Sequence, residues 1–329
     1  MLTVVADKRW GGEHGIGRFS RKVLGQIAHR ELDIGGRPMD PFDPIRLSIA
    51  LRRIPRGNVF FSPGYNAPFL SNQRFLFTVH DLNHIDRPEN SSVPKRIYYA
   101  LVLKRACLRA AKVLTVSEYA RQRIIRWSGV PDQQVVNVGN GVDDAFTPGS
   151  PAASSGRPYF LCVSNRRPHK NESRVLSALA ASGLPADVEL VLTGPPTQGL
   201  NDEIRARGLD GRVRFTGTVS DEELAELYRG AIGLVFPSLY EGFGLPVVEA
   251  MACGTPVITS TTTALPEIAG DAALLVDPMR VDEIAEAMTR LHDDQALRIR
   301  LREAGLRRAT QFTWSSVADR VSAAIADIR

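Results

Sequence analysis

The sequence is poor in cysteine and has no long hydrophobic segment. Its 329 residues include three cysteines, Cys107, Cys162 and Cys253, which lie far apart and lack the spacing of a metal site. We therefore expect buried thiols of a reducing compartment rather than a disulfide framework. No apolar run approaches the ~20 residues of a membrane span. Charged residues soon after Met1 leave no room for the apolar core of a signal peptide, so we expect a cytoplasmic protein.

Several motifs of nucleotide and nucleic-acid binding are also missing. A phosphate-loop lysine motif is absent, which excludes the common kinases and ATPases. Gly12, Gly15 and Gly17 do not have the spacing of the dinucleotide fingerprint. No clustered aspartates are available to hold Mg²⁺ on a phosphate, so we expect neither a bound metal nor a cofactor. Nucleic acid is not an expected partner, because no recognised motif for it occurs.

Positive charge is concentrated in the first half of the chain. Residues 1–150 contain 22 Lys and Arg against 13 Asp and Glu, a net charge of +9. Residues 151–329 contain 19 against 23, a net charge of −4. A basic half favours an anionic partner, either a phospholipid surface or a phosphate-bearing acceptor.

Short apolar runs alternate with helical patterns along most of the chain. This alternation predicts parallel sheets covered by helices on both faces, in an α/β fold. The hydrophobic fraction of 43 % and the length allow about two domains, each with its own core. Residues 147–158 have the composition of a linker, rich in Pro, Ser, Gly and Ala. We therefore predict one domain over residues 1–150, a second over 151–312, and a final helix over 313–329.

The stretch around residues 236–259 has the order strand, glycine loop, helix. An apolar run over residues 232–236 precedes a loop with Gly242 and Gly244, and Pro246 stands where a helix would begin. Glycines let backbone N–H groups approach a ligand closely, and the unpaired N–H groups of a helix start carry partial positive charge. This pattern predicts a phosphate-binding site.

Two glutamates bracket this predicted site. Glu241 precedes the loop, and Glu249 follows about one turn into the helix, with seven residues between them. The helix is apolar nearly all round, which indicates burial, and a buried glutamate needs a partner. The alternative interpretation is an ordinary loop charge at 241 and a surface charge at 249.

Residues 241–257 read EGFGLPVVEAMACGTPV, which resembles the signature of the retaining glycosyltransferases of the fourth sequence family, glycosyl transferases group 1. The resemblance implies the GT-B fold, with two Rossmann-like lobes, a cleft between them and a C-terminal helix that crosses back to the first lobe. It also implies that Glu241 binds hydroxyls of the donor sugar and that Glu249 holds the nucleotide ribose. Four further residues would meet the donor sugar and diphosphate through their backbone: Gly242, Phe243, Gly244 and Leu245.

A cluster of cations follows the strand predicted at residues 159–163. Arg166, Arg167 and Lys170 lie within five residues, just before Asn171, which is predicted to cap a helix. Three cations at a strand end suit a diphosphate leaving group, whose growing negative charge they neutralise, although surface ion pairs are the alternative. By the resemblance, Lys170 and Arg166 are assigned to catalysis and Arg167 to donor binding. Which of the two arginines faces the diphosphate is left open.

Other ligand positions follow strands. His80 stands at the end of the strand predicted over residues 74–79, and its context resembles the family histidine that contacts the donor sugar. Asp81 is expected to fix its tautomer. The Gly-Ile-Gly-Arg segment resembles the family loop that faces the donor phosphates, which adds Gly15 and Gly17. Two residues after a second-domain strand are expected to line the base pocket: Thr193 and Gly194.

Two basic patches lie in the first half. A helix predicted over residues 94–111 has Ile97, Tyr98, Leu101 and Leu108 on one side and five cations largely elsewhere. A second patch consists of Arg121, Arg123, Arg126 and Trp127. These faces are either solvated or bind the anionic inner face of a membrane.

The sequence thus predicts a retaining glycosyltransferase in cell-surface polysaccharide synthesis. It would move a hexose from a nucleotide-diphosphate sugar to a glycan or a polyprenyl-diphosphate-linked acceptor. Family members with segments similar to residues 165–171 are often mannosyl or rhamnosyl transferases, so we expect GDP-mannose rather than UDP-glucose. The alternatives are another GT-B enzyme, such as a sugar-nucleotide epimerase or a phosphorylase, and a non-catalytic nucleotide-sugar-binding protein.

Overall fold

The structure is a computed structural model that describes residues 3–12, 15–149 and 156–328. The chain forms two compact units. The first contains residues Met1–Gly141 and Thr313–Arg329, and the second contains Val142–Phe312. Each unit has a six-stranded sheet whose strand pairs are all parallel, so the predicted α/β architecture with two lobes is confirmed.

The first division between the two units lies between Gly141 and Val142. The predicted boundary at residues 150 and 151 is outside the described residues. Residues 142–149 belong to the second unit because they bond to it: the Val142 N–H donates to the Phe312 carbonyl oxygen at 3.0 Å, and Phe146 lies edge-on to Tyr228 with ring centroids 6.0 Å apart.

The sheet of the first unit has the strand order β2-β1-β3-β4-β5-β6. The chain runs from the first strand to one side and then crosses to the other, which makes the gap between the ends of β1 and β3 a topological switch point. The predicted strands are present, and the two-residue β2 was missed because so short an edge strand has no readable pattern. The strands are β1 (Val4–Ala6), β2 (Arg30–Glu31), β3 (Val59–Ser62), β4 (Arg74–Thr78), β5 (Lys112–Thr115) and β6 (Val135–Asn137).

Helices flank this sheet. The Ser117 hydroxyl caps α6 by accepting the Ala120 N–H, and Gly129 ends it in a left-handed conformation, as the residue types favour. The helices are α1 (Gly15–Leu24), α2 (Asp43–Arg52), α3 (Asn83–Asp86), α4 (Val93–Tyr98), α5 (Lys104–Arg109) and α6 (Glu118–Ser128).

The helix predicted over residues 94–111 is interrupted. A π-helical turn at Tyr99–Leu103 separates α4 from α5. Tyr99, Leu103 and Cys107 are buried, whereas Ile97, Leu101 and Leu108 are about half exposed. Most of the apolar residues that the sequence placed on one side of this helix therefore lie on the surface. Tyr99, Leu103 and Cys107 fill the core instead.

A buried charge cluster closes the switch point of the first unit. Asp7 follows β1 and Asp43 begins α2, and neither is exposed to solvent. Arg9 bridges them, with Nη2 at 2.7 Å from Asp7 Oδ2 and Nη1 at 2.6 Å from Asp43 Oδ1. The Asn66 amide after β3 donates to both carboxylates. Such charges are tolerated in the interior only because they are paired and hydrogen-bonded.

The second unit repeats this plan with the strand order β12-β11-β10-β7-β8-β9. Its switch point lies between the ends of β7 and β10. The strands are β7 (Tyr159–Cys162), β8 (Glu189–Leu192), β9 (Val213–Phe215), β10 (Gly233–Phe236), β11 (Val257–Ser260) and β12 (Leu274–Val276). The helices are α7 (Glu172–Ala181), α8 (Gln198–Ala206), α9 (Asp221–Gly230), α10 (Leu245–Ala252), α11 (Leu265–Ala269), α12 (Val281–Asp293) and α13 (Gln295–Ala309).

The last helix, α14 (Trp314–Ala326), returns to the first unit. It packs on α1, where Trp314 and Phe19 lie edge-on with centroids 6.3 Å apart. Gly141 leaves room for Trp314, since a Cβ at that position would come within 2.6 Å of the indole.

The three cysteines are buried as expected. Burial raises the pKa of each thiol from 9.0 to about 12, so the thiols are protonated at neutral pH. Within the described part of the chain, no helix has both the length and the apolar character needed to cross a bilayer.

Candidate active site

The switch point of the second unit holds an ion pair. Lys170 ends a short 3₁₀ turn after β7, and Glu241 follows β10. Lys170 Nζ lies 2.6 Å from Glu241 Oε1, and the side chains are 12 % and 14 % exposed, respectively. The Ser238 hydroxyl donates to the same carboxylate oxygen at 2.6 Å. Ligands of such sheets bind at the carboxyl ends of the strands. The pair lies there and keeps part of its surface exposed, so a ligand in this position can reach it.

The start of α10 forms as the sequence predicted. Gly244 precedes the helix with φ 102°, a conformation that favours glycine, and a Cβ there would come within 2.6 Å of Leu265 Cδ2. Pro246 lies in the first turn, and no side chain caps this end. Phe243 is buried edge-on against Phe312. Pro246 has no N–H, and the Val247 N–H donates to the Gly244 carbonyl oxygen at 3.0 Å. The positive end of the helix dipole therefore lies at a start that no side chain caps, and such an end suits an anion.

Glu249 has the partner that a buried carboxylate requires. It lies in the second turn of α10, is 4 % exposed, and its Oε2 accepts a hydrogen bond from the Tyr228 hydroxyl of α9 at 3.1 Å. The interpretation of Glu249 as a surface charge is therefore wrong. Gly254 follows the helix in a left-handed conformation, with φ 77°, and ends it.

The two adjacent arginines differ in their surroundings. Arg166 has φ 62°, and its guanidinium donates to the carbonyl oxygens of Thr193 and Pro195 at 2.6 and 2.9 Å and also pairs with Glu172. Arg167 is exposed, and none of the described residues forms a hydrogen bond or ion pair with its guanidinium. Arg166 therefore ties its own loop to neighbouring elements, whereas Arg167 remains available to a ligand.

Thr193 and Gly194 lie beside this arginine. The Thr193 hydroxyl accepts the Ser164 N–H at 3.0 Å, which ties the end of β8 to the loop after β7. Gly194 has φ 81°, and its N–H donates to the Gly217 carbonyl oxygen at 2.8 Å. The two residues thus form part of the same strand-end edge as the cations.

Asn171 occupies the predicted N-cap position of α7 but does not cap the helix. Its φ is 64°, and its side chain forms no capping bond. The amide donates instead to the carbonyl oxygens of Pro237 and Pro278, at 2.9 and 2.7 Å. Asn171 therefore joins the loop after β7 to the loop after β10, and these loops carry Lys170 and Glu241.

Sequence reasoning missed Thr263. This β-branched residue has φ 60°, a conformation that is strained for such a side chain. Its Oγ1 accepts the Glu241 N–H at 3.2 Å and donates to the Thr262 carbonyl oxygen at 2.7 Å. The run of three threonines at residues 261–263 gave no signal for this role. Thr263 holds the backbone from which the Glu241 side chain extends.

His80 lies at the end of β4 in the first unit. Its Nε2 is 2.9 Å from the carbonyl oxygen of Pro63, and its ring meets Phe19 edge-on with centroids 5.0 Å apart. A carbonyl only accepts, so Nε2 carries the proton in this contact and Pro63 favours that tautomer. The role expected of Asp81 stays a prediction. The Asp81 carboxylate accepts the Asn83 N–H at 3.0 Å.

The glycine loop of the first unit leads into α1. Gly15 is the first residue of this helix. A Cβ on Gly17 would overlap the carbonyl oxygen of Gly12, so the backbone of Gly12 packs directly on α1. Among the described residues, no three His, Cys, Asp or Glu side chains gather where a metal ion would bind.

Two sequence families match the chain in succession. The profile described as Glycosyltransferase Family 4 matches residues 16–146, and that described as Glycosyl transferases group 1 matches residues 144–308. O-antigen chain mannosyltransferase B from Escherichia coli is 33 % identical over 291 residues, which cover 83 % of this chain and 75 % of that relative. MMP alpha-(1->4)-mannosyltransferase from Mycolicibacterium hassiacum is 37 % identical over 225 residues, 65 % of this chain and 54 % of that relative. The matched region thus spans about half the length of that second relative.

A solved structure shares the fold at low sequence identity. Anabaena HepE, in complex with UDP and glucose, superposes with a TM-score of 0.80 at 18 % identity and covers 99 % of this chain and 100 % of its own. Such a likeness establishes the fold, and the family profile and the 33 % identical relative establish the family. The chain therefore belongs to the glycosyl transferases group 1 and has the two-lobed GT-B fold.

Proposed function

We propose that this glycosyltransferase moves a hexose, with mannose favoured, from a nucleoside-diphosphate sugar to a glycan acceptor, with retention at the anomeric carbon. The observation that carries the proposal is the Lys170–Glu241 pair beside the uncapped start of α10. The relatives named as mannosyltransferases support the sugar and the polysaccharide context. A glycan linked to a polyprenyl diphosphate is a further acceptor in this proposal.

The donor diphosphate would bind to the cations and amides of the second unit. Departure of the nucleoside diphosphate leaves an electron-poor anomeric carbon and a more negative phosphate. Lys170, Arg167 and the first N–H groups of α10 are the groups that would stabilise that charge. These groups can act without a metal, so we expect full transfer in the presence of a chelator. A donor phosphate oxygen would accept the acceptor's proton, as the family resemblance implies.

The two glutamates would bind hydroxyl groups at different parts of the donor. Glu241, oriented by Ser238 and Thr263, is proposed to bind the sugar hydroxyls. Glu249, oriented by Tyr228, is proposed to hold the ribose. The backbone of residues 242–245 would lie along the diphosphate, and Thr193 and Gly194 would lie near the base.

The roles of the two arginines are proposed to differ from the first assignment. Arg166 already donates to three carbonyl oxygens and to Glu172, so we assign it to positioning the loop that carries Lys170. Arg167 takes the ligand role. In the first unit, His80 is proposed to contact the transferred sugar, and Gly15 and Gly17 to face the donor phosphates.

GDP-mannose is the proposed donor, ahead of UDP-glucose. The test is a thermal-shift screen with GDP, UDP, ADP and dTDP, because a ligand that binds only the folded state raises the melting temperature. GDP should give the largest increase. Transfer from GDP-mannose to a mannose-containing glycan, with an α-linkage in the product by NMR, would support the proposal. A β-linked product from this α-linked donor would contradict retention.

Product analysis separates the alternatives. An epimerase changes the sugar nucleotide without an acceptor, whereas a transferase needs the acceptor to form a new glycoside. A phosphorylase needs inorganic phosphate to cleave a glycan. Binding of the donor without turnover in any mixture would favour a non-catalytic binding protein.

A further inference from the structure

Most of the large apolar side chains that are exposed in the described residues lie in one region of the first unit. Of thirteen such side chains, ten fall between residues 39 and 108 and three lie in the second unit. We call the ten the outer face: Met39, Phe42, Ile45, Ile49, Phe69, Leu70, Val93, Ile97, Leu101 and Leu108. Single exposed apolar residues need no explanation, but a cluster of this size does.

One part of the outer face is a stripe along α2. Phe42, Ile45 and Ile49 are spaced by three and four residues, which places them on one side of the helix. They are 66, 52 and 50 % exposed. Leu47 and Leu51, on the other side of the helix, are fully buried. The core is therefore complete without the outer stripe.

A second stripe runs along α4 and α5. Val93, Ile97, Leu101 and Leu108 recur at steps of four and seven residues and are each at least half exposed. In a regular α-helix, each four-residue step would rotate the stripe by about 40°. The π turn at Tyr99–Leu103 is wider than an α turn and offsets that rotation. The interruption therefore keeps the apolar residues on one side.

The segment at Phe69 and Leu70 joins the two stripes. The Phe69 N–H donates to the Pro44 carbonyl oxygen of α2 at 3.0 Å. Arg109 of α5 donates from Nη1 to the Phe69 carbonyl oxygen, also at 3.0 Å. One short segment therefore bonds to both of the helices that carry the stripes.

The charge around the outer face is strongly positive. Residues 37–56 and 93–112 contain eleven Lys and Arg against two Asp. Asp43 is buried, and Asp40 pairs with Arg46 at 2.9 Å. Seven cations on α2, α4, α5 and the turn after α2 are exposed: Arg52, Arg53, Arg56, Arg96, Lys104, Arg105 and Arg109.

The other basic patch of the sequence is less available. Arg121 pairs with Glu118 and Asp132, and Arg123 pairs with Asp86. Arg126 donates to the Gln122 carbonyl oxygen of its own helix. The cations of this patch therefore already interact with neighbouring groups, and the outer face is the better anionic-surface site.

We propose that the outer face docks on the surface of a bilayer that contains anionic lipids. Its apolar side chains would enter the boundary between headgroups and acyl chains, and its cations would meet the lipid phosphates. A second copy of the chain would bring two strongly positive surfaces together, which disfavours that occupant. The proposal goes beyond the proposed function, since docking requires no sugar nucleotide.

The test is co-sedimentation of the full chain with vesicles at low salt, without sugar nucleotide. The vesicles are phosphatidylcholine alone or phosphatidylcholine with one third phosphatidylglycerol. The wild type should bind the anionic vesicles much more strongly. Neutralising Arg52 and Arg53 with the pair Arg52→Gln and Arg53→Gln should weaken binding about 25-fold, since each cation near the surface contributes about five-fold. The pair Ile45→Ser and Ile49→Ser should weaken it about ten-fold, because less apolar surface enters the interface.

The second helix and the second unit supply the controls. Ile97→Ser with Leu101→Ser tests the other stripe and should also weaken binding about ten-fold. Met279→Ser with Ile299→Ser removes equally exposed apolar groups from the second unit and should leave binding unchanged. Equal binding to neutral and anionic vesicles, or equal losses in the control, would overturn the proposal. Dimers of the wild type that Ile45→Ser and Ile49→Ser dissociate would also overturn it, in favour of a second copy.

Discussion

The two units place charged residues at the same point of the same architecture but use them differently. In the first unit, Asp7 and Asp43 are fully buried at the switch point and pair with Arg9, whose side chain is 11 % exposed. In the second unit, Lys170 and Glu241 pair at the equivalent point but keep about an eighth of their surface exposed. One cluster is therefore a structural element, and the other is accessible to a ligand. The switch point of the fold thus indicates where a site can form, and the exposure of the carboxylates there separates a buried structural cluster from one that a ligand can reach.

The largest effect is expected at the exposed pair. Lys170→Ala and Glu241→Ala should each reduce kcat by about 10² to 10³, because a group aimed at the developing charge is lost. Both variants should keep the far-UV spectrum and a cooperative thermal transition. Lys104→Ala, which removes an exposed cation in the first unit, is the matched control and should turn over normally. Near-normal transfer by the Lys170 variant would remove this pair from the proposed mechanism.

The interior cluster should respond mainly in stability. Asp43→Ala leaves Arg9 with one carboxylate, and breaking a buried ion pair typically costs about 3–5 kcal/mol of the free energy of unfolding. Urea denaturation gives that value. Asp40→Ala, which breaks an ion pair with Arg46 nearer the surface, should lower the free energy of unfolding much less. Equal losses in the two variants would contradict the contrast between interior and surface pairs.

The adjacent arginines repeat the comparison within one loop. Arg166→Gln should lower the free energy of unfolding by about 2 kcal/mol, since charged hydrogen bonds to carbonyl oxygens are lost. Arg167→Gln should leave stability unchanged and lower kcat/KM about ten-fold or more, since its guanidinium is available to the diphosphate. Denaturation and transfer kinetics on both variants separate the roles. The reverse result, a stability loss only at Arg167, would exchange the assignments.

The smallest effect concerns a property that the two units share. Cys107 of the first core and Cys162 of the second are buried, and burial raises the pKa of each to about 12. Because the folded value lies above the unfolded one, thiol burial stabilises the fold below pH 9 and loses that contribution as the pH rises toward 12. An aromatic disulfide reagent at pH about 8 should label no cysteine in the native protein and all of them in urea. Rapid labelling of the native chain would show that one of the cores opens.

Local patterns predicted the start of α10, because glycine and proline impose their backbone preferences wherever they stand. The structure brings the predicted residues Lys170 and Glu241 together, and the roles assigned to them and to Glu249 stay predictions. The sequence did not show which of Arg166 and Arg167 faces a ligand. That difference depends on the φ of 62° at Arg166 and on carbonyl oxygens of a distant loop, which accept hydrogen bonds from its guanidinium.

Tertiary contacts explain the remaining differences. Asn171 is a favoured capping residue, but two prolines from other loops bind its amide. The apolar side of residues 94–111 lies mostly outside because Tyr99 and Leu103 occupy the core. Periodicity shows that a helix has two sides, and only the packed structure shows which side is buried.

The buried carboxylate of Asp43 also determines how α2 is oriented about its own axis. A half-turn of the helix would bring Ile45 and Ile49 inward, but it would carry Asp43 away from Arg9 and leave the guanidinium with half of its countercharge. The same rotation would expose Leu47 and Leu51, so the two apolar pairs offset each other and the ionic contact favours the observed orientation. The buried contact between Asp43 and Arg9 therefore helps to keep the apolar side chains of Ile45 and Ile49 on the surface.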